Sequence, residues 1–271
     1  MKSPQTDLFQ ENKGDNFVNI GKAKRKNNLF GKAMLKEAIR LLPTIPETND
    51  LLIARHAIRA NLRTSAKETR RRHSDYIVYR MFPDGTPDFP MRHFAKLYEG
   101  RQELRDVAFY RFIMVETLMP QIIQTLVLPY IGAGVIERHS IREYLAGKYP
   151  EAKSIKDCVQ AIAEALVASG VARSEKHRLL FSYREIALAS FAFILYSECG
   201  QPGMYDIAKV ENNPMIQSML WRPDRLVPSL YELRNRGVIS KISEIDMFRQ
   251  FTITMTLREL VEALEDKKIL V

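Results

Sequence analysis

The decapeptide Thr64-Ser65-Ala66-Lys67-Glu68-Thr69-Arg70-Arg71-Arg72-His73 sets four cations against a single acid. It continues as Ser74-Asp75-Tyr76-Ile77-Val78-Tyr79-Arg80-Met81, with apolar residues at helical spacing, which predicts one basic helix. Ser65 is an N-cap residue type and Glu68 follows three positions later, so a capping box is expected at the start. A helix N-terminus carries positive partial charge and ordinarily favours acids in its first turn. Lys67 and three arginines crowd the first two turns instead, which suits a neighbouring anion such as a nucleic-acid phosphate.

Consecutive helical residues lie about 100° apart, so Arg70, Arg71 and Arg72 fan around the axis. Ala66, Thr69, His73, Tyr76 and Ile77 share the face expected to seat the helix. Lys67, Arg70, Arg71 and Ser74 cluster beside that stripe and form the candidate DNA-binding face. Arg72 lies elsewhere, four residues after Glu68, where a helical ion pair is expected.

The charge of the whole chain points to the same region. The 271 residues carry a net +9. Residues 1–82 hold 17 Lys and Arg against 8 Asp and Glu, whereas the remainder holds 24 of each. The excess therefore sits around the basic helix, a pointer to a polyanionic partner. Cys158 and Cys199, in apolar helical patterns, are expected to be free buried thiols of a cytoplasmic protein. The N-terminus is polar, so no secretory signal is expected. Thr117 to Ile136 is uncharged over a bilayer-spanning length, yet Pro120, Pro129, Gln121, Gln124, Gly132 and Gly134 interrupt it. It is expected to be a buried helix end, a second short helix and a glycine turn, with no membrane partner.

Taken in order, the chain divides into four. Residues 1–28 are a polar basic arm, expected to be disordered, whose Lys22, Lys24, Arg25 and Lys26 are candidate phosphate contacts. Residues 29–136 form a helical domain. Its first helix is expected over Leu29 to Leu42, stopped by Pro43 and Pro46. Asn49 or Asp50 caps a second helix to Ala60 with Leu51, Leu52, Ala54, Ala57 and Ile58 inward. A brief link into the capped basic helix then gives a helix-turn-helix outline. The loop Phe82 to Asp88 reads as turn chemistry, and two further helices follow over Pro90 to Glu99 and Glu103 to Met119.

Residues 137–200 read as a winged-helix-like unit. Ser140 caps one helix and Ser154 a second that ends at Gly170; a hairpin and the apolar helix Ile186 to Glu198 follow. Residues 201–271 repeat the plan: short helices from Met204 to Lys209 and Pro214 to Trp221, a helix closed by Gly237, a hairpin around Asp246-Met247, and a last helix. The fold class expected is thus mainly α with two short β-hairpins. The Ser154 helix exposes Lys156, Asp157, Gln160 and Glu164, a mixed face. The second unit offers Arg222, Arg225, Arg234 and Arg236, so Arg225 and Arg236 are the candidate contacts there.

No catalytic constellation emerges. His56, His73, His93, His139 and His177 have no metal-ligand spacing among themselves or to the cysteines. Gly31-Lys32 lacks a glycine-rich loop, and neither a Gly-x-Ser-x-Gly turn nor an acid pair is present. The expectation is a protein without enzymatic activity, metal, cofactor or small-molecule substrate.

The order of elements from about Leu62 to Tyr196 resembles the BrxA family of small helical proteins from BREX phage-defence operons. The resemblance is carried by Thr64-Ser65-Ala66-Lys67-Glu68-Thr69-Arg70, by Asp106-Val107-Ala108 in a helix-rich middle, and by the helix from Ser154 to Gly170-Val171 leading into a hairpin. The second winged unit and the basic arm extend beyond that pattern. The resemblance implies a cytoplasmic, non-enzymatic accessory protein that binds double-stranded DNA and works with other defence-system proteins. The alternative is a protein–protein scaffold or transcriptional regulator whose winged helices dock partners.

Overall fold

In a computed structural model, residues 28–245, 248–267 and 270 are described. The segment Leu29–Met34 enters the core without helical structure, burying Leu29, Phe30, Ala33 and Met34, and α1 spans Leu35–Leu41, shorter than the periodicity suggests. Helix α2 (Leu51–Asn61) starts where Asp50 accepts from the Leu52 N–H at 2.7 Å. Helix α3 (Lys67–Met81) is the basic helix. Asp88 caps α4 (Phe89–Leu97) through the Met91 N–H at 2.9 Å, and α5 (Gln102–Val115) follows. Helix α6 (Leu118–Ile122) then runs through a π-helical turn (Ile123–Val127) and a short tight turn (Leu128–Tyr130). Together these bend about 100° away from α5, and no single helix among the described residues is long and apolar enough to cross a bilayer.

Two small antiparallel sheets complete the architecture, so the chain is mainly α. In the first, β1 (Val135–Glu137) leads into α7 (Arg138–Lys148) and α8 (Ile155–Ala168), then the hairpin β2 (Ala172–Glu175) and β3 (Arg178–Phe181). Strand β3 lies in the middle, and the order is β1-β3-β2. Helix α9 (Leu188–Cys199) follows. In the second, β4 (Gly203–Asp206) leads through α10 (Ile207–Glu211), α11 (Pro214–Ser218) and α12 (Pro223–Asn235) to β5 (Lys241–Ile245) and β6 (Phe248–Ile253), and α13 (Leu257–Lys267) closes the chain. The order is again first, third, second: β4-β6-β5. Both units thus pair an opening strand with the last strand of the hairpin. The opening strand of the second occupies the place where a helix from Met204 was expected. There Tyr205 stacks on Phe251 at 5.8 Å from the neighbouring strand, a cross-strand pair that outweighs local helix propensity.

Buried polar groups tie the layers together. Arg80, at the end of α3, is buried with Glu116; its Nε and Nη2 donate to Glu116 Oε1 at 2.9 and 2.8 Å, and its Nη1 donates to the Ala33 carbonyl. The rings of Phe30, Tyr76 and Phe112 lie 4.9–5.6 Å from its guanidinium carbon. Asp106 on α5 is a second hub. It accepts from Gln102 (2.8 Å), Arg184 (2.9 Å) and Ser190 (3.1 Å), joining α5 to the start of α9. Gly170, at φ +76°, ends α8 under the Gln102 side chain; a Cβ there would sit 2.8 Å from Gln102 Oε1.

The core runs past Gly200, the boundary expected from sequence between the two sheet units. Tyr196 donates its hydroxyl to the Val238 carbonyl, Phe191 meets Trp221 edge-on at 5.7 Å, and α13 packs against α4 and α9.

Candidate nucleic-acid interface

Helix α3 is held from below. Ile77, Val78, Arg80 and Met81 are buried, and Arg55 of α2 meets Asp75 at 3.2 Å. Its first two turns expose Lys67, Glu68, Arg71 and Arg72. The capping box does not form: Ala66 is the N-cap, without a side-chain cap, and Ser65 lies exposed ahead of it. Glu68 is drawn away by Arg71, whose Nη2 and Nε both donate to it, the latter at 3.0 Å. That hydrogen bond holds the Glu68 carboxyl below the usual carboxylate range.

This corrects two expectations. The Glu68 partner is Arg71 at i+3 and not Arg72 at i+4, and the exposed Arg72 makes no ion pair among the described residues. Ser74 is fully buried and donates to the Arg71 carbonyl at 2.7 Å, so it packs the helix and meets no ligand. Lys67 is exposed as expected, whereas Arg70 is half-buried with its Nε enclosed. Ala66 is likewise exposed rather than seated, and Leu52 on α2 points out instead of in.

Cations that the sequence reading overlooked converge on the same ridge. The charges of Arg71, Arg72 and Arg59 of α2 all act on Glu68. His73 is held below the usual imidazole range, first by burial and then by the charges of Lys32 and Arg72. Arg59 and Arg72 thus lie near Glu68, and Lys32 and Arg72 near His73, where the Glu37 charge acts in the opposite sense. Only the tertiary approach of α2 and of the segment before α1 reveals this.

The second unit looks different. Arg236 pairs with Glu232 at 3.0 Å, and Arg225 lies 3.9 Å from Glu185. Arg222 pairs with Asp224 (2.7 Å) and Glu185 (3.3 Å), and Arg249 with Glu211 and Glu244. Arg234 sits over the Tyr231 ring at 5.0 Å. These cations are already matched by acids or a ring face. On α8, Glu164 is not on the exposed side: it packs toward Met34, Lys32 and Lys36, and burial raises its carboxyl pKa. Lys22, Lys24, Arg25 and Lys26 lie outside the described residues. Among the described residues no three His, Cys, Asp or Glu side chains converge as a metal site would require.

No protein-family model matches the chain, and neither does any curated protein. The fold is similar to two solved structures. One, titled SspB crystal structure, shares 11% identity at a TM-score of 0.56, covering 87% of this chain and 84% of that one. The other, a magnesium ion-bound SspB structure, shares 8% identity at a TM-score of 0.55 over the same shares. At these identities the likeness concerns the fold alone.

Proposed function

We propose that this protein is a cytoplasmic, non-enzymatic accessory factor of a bacterial BREX-like phage-defence system that binds double-stranded DNA, mainly through phosphate contacts. The observation that carries the reading is the ridge at the opening of α3. Lys67 and Arg72 stand exposed there, without an ion pair among the described residues, near Arg71, which Glu68 holds, and Arg59 of α2. Unmatched cations on a rigid helix cost self-repulsion and are relieved by a polyanion that releases its condensed counterions on binding. Each sheet unit runs strand, helices, hairpin, with the opening strand beside the last, an order that supports reading both as winged-helix-like. The BREX part of the proposal rests on the resemblance of the pattern from Thr64 to Arg70, and of the helix from Ser154 into its hairpin, to the BrxA family.

The test is a titration of fluorescent random-sequence duplex over a range of salt. Wild type binds irrespective of sequence and weakens steeply with salt. Lys67→Ala with Arg72→Ala flattens the log–log slope by roughly two units, at about 0.9 per phosphate contact. Absence of salt-dependent duplex binding by the wild type refutes the reading.

One observation favours the alternative of a scaffold or transcriptional regulator docking other defence-system proteins. The outer face of α2 exposes Leu52 and Ile53 beside Pro46, His56 and Ala57. Leu52→Glu separates the readings: it leaves duplex affinity unchanged and releases a docked protein.

A further inference from the structure

A groove between α7 and α8 is built differently from the surface of the second unit. It is lined by Arg138, His139, Arg142, Lys156, Asp157 and Gln160. Arg138 is half-buried at the start of α7. Its guanidinium is aimed by Gln160 Oε1 at 3.1 Å and Ser174 Oγ at 2.8 Å, and its Nε is enclosed without a partner. Arg142 lies one turn further along the same face, exposed, and Lys156 faces it from the first turn of α8. Neither Arg142 nor Lys156 makes an ion pair among the described residues, in contrast to Arg222, Arg225, Arg236 and Arg249 of the second unit.

Most of the nearby acids have partners of their own. Glu137 lies 3.6 Å from Arg178, and Glu143 pairs with the groove-lining His139 at 3.1 Å. Glu164 is turned toward the segment before α1. Asp157 remains in the groove wall, on the side where a Cβ at Gly31 would touch its own Cβ at 3.7 Å. Three cations thus face one acid in an open cleft. The cleft is bordered by the hairpin that carries Ser174 and, at its turn, the exposed Lys176 at φ +51°. Such a cleft fits a run of phosphodiesters, with Arg138 as the fixed fork and Arg142 and Lys156 as mobile charges to either side.

We infer that the α7–α8 groove binds a nucleic-acid phosphate backbone, so that the first strand–helix–hairpin unit, not the second, meets the duplex. This rests on the duplex-binding reading above and adds a second contact surface to the α3 ridge. The experiment compares wild type, Arg142→Ala with Lys156→Ala, Gln160→Glu, and Arg225→Ala with Arg236→Ala by anisotropy on one labelled duplex over 50–300 mM salt. Loss of two phosphate contacts at about 0.9 each flattens the slope by about 1.8, which is about 60-fold in affinity at 0.1 M salt, vanishing toward 1 M. The groove pair shows that loss, Gln160→Glu weakens binding in the same direction by placing an acid beside Arg138, and the second-unit pair keeps the wild-type slope. Thermal melts matching wild type confirm that the exposed substitutions leave the fold intact. If wild type binds duplex while the groove pair and Gln160→Glu retain its slope, the groove assignment is overturned and the ridge reading stands. If the second-unit pair carries the loss instead, the assignment of units is wrong. If wild type shows no salt-dependent binding, the duplex reading itself falls, and the groove with it.

Discussion

Replacing Arg80 tests whether the buried ion pair fixes the basic helix. Arg80 and Glu116 are each only 2% exposed, and three hydrogen bonds and three aromatic rings surround the guanidinium. Arg80→Met keeps the apolar stem and most of the volume, so cavity formation contributes little. What it removes is the guanidinium facing a buried carboxylate, a loss of about 3–5 kcal/mol. The Ala33 carbonyl also loses its donor, about 1–3 kcal/mol more. With about 2–4 °C per kcal/mol for a chain of this size, the charge loss alone lowers Tm by roughly 6–20 °C. Arg80→Met with Glu116→Leu removes both charges together and should recover most of that loss, because the desolvation of both ions disappears with them. Differential scanning calorimetry of the two single variants and the double closes the cycle. If the double variant is no more stable than Arg80→Met, the pair is not the anchor and the reasoning fails.

Further outcomes follow from particular contacts. Glu68→Gln frees Arg71 and removes the ridge acid, so duplex affinity should rise in low salt; weaker binding would show that Glu68 positions the face instead. Burial, with the Glu198 charge second, pushes the Cys199 thiol up to about 12, so iodoacetamide at pH 8 should modify it far more slowly than free cysteine. A rate like that of a free thiol would contradict the packing around α9. The Glu164 carboxyl is raised mainly by burial, so the fold favours its protonated form. Wild type should therefore lose Tm relative to Glu164→Gln as pH rises from the usual carboxylate range through the raised value, and the two should converge in acid; parallel curves would exclude this. Because Tyr196 reaches Val238 and Phe191 meets Trp221 across the Gly200 boundary, limited proteolysis should not yield two separately folded halves. A stable fragment ending near Gly200 would show that it does.

How much was legible varied with the range of the deciding interaction. The helical content, the Asp50 cap, the helix ends at Gly170 and Gly237, and both hairpins followed from local rules: capping chemistry, positive φ, and period 3.6 against 2. Strand β4 was missed because Gly203–Asp206 is paired by residues some fifty positions on, and four residues of local preference cannot register that.

The sequence by itself determined that the chain is mainly helical and that its cationic excess lies in the first third, because propensity and net charge are properties of residues wherever they end up. Only the tertiary structure decided which cations remain available. Glu68 had Arg71 and Arg72 within helical reach, and side-chain geometry chose the first. Ser74 looked like part of the face until α3 was seated on it. The arginines of the second unit read as a basic surface until Glu185 and Glu211 approached from other elements and Glu232 and Glu244 paired close by, while Arg142 and Lys156 acquired no such acid among the described residues. A rotamer chooses among local partners, but pairs such as Arg222 with Glu185 and Arg249 with Glu211 depend on distances of 3–4 Å between segments far apart in the chain, and those distances exist only after the core has closed.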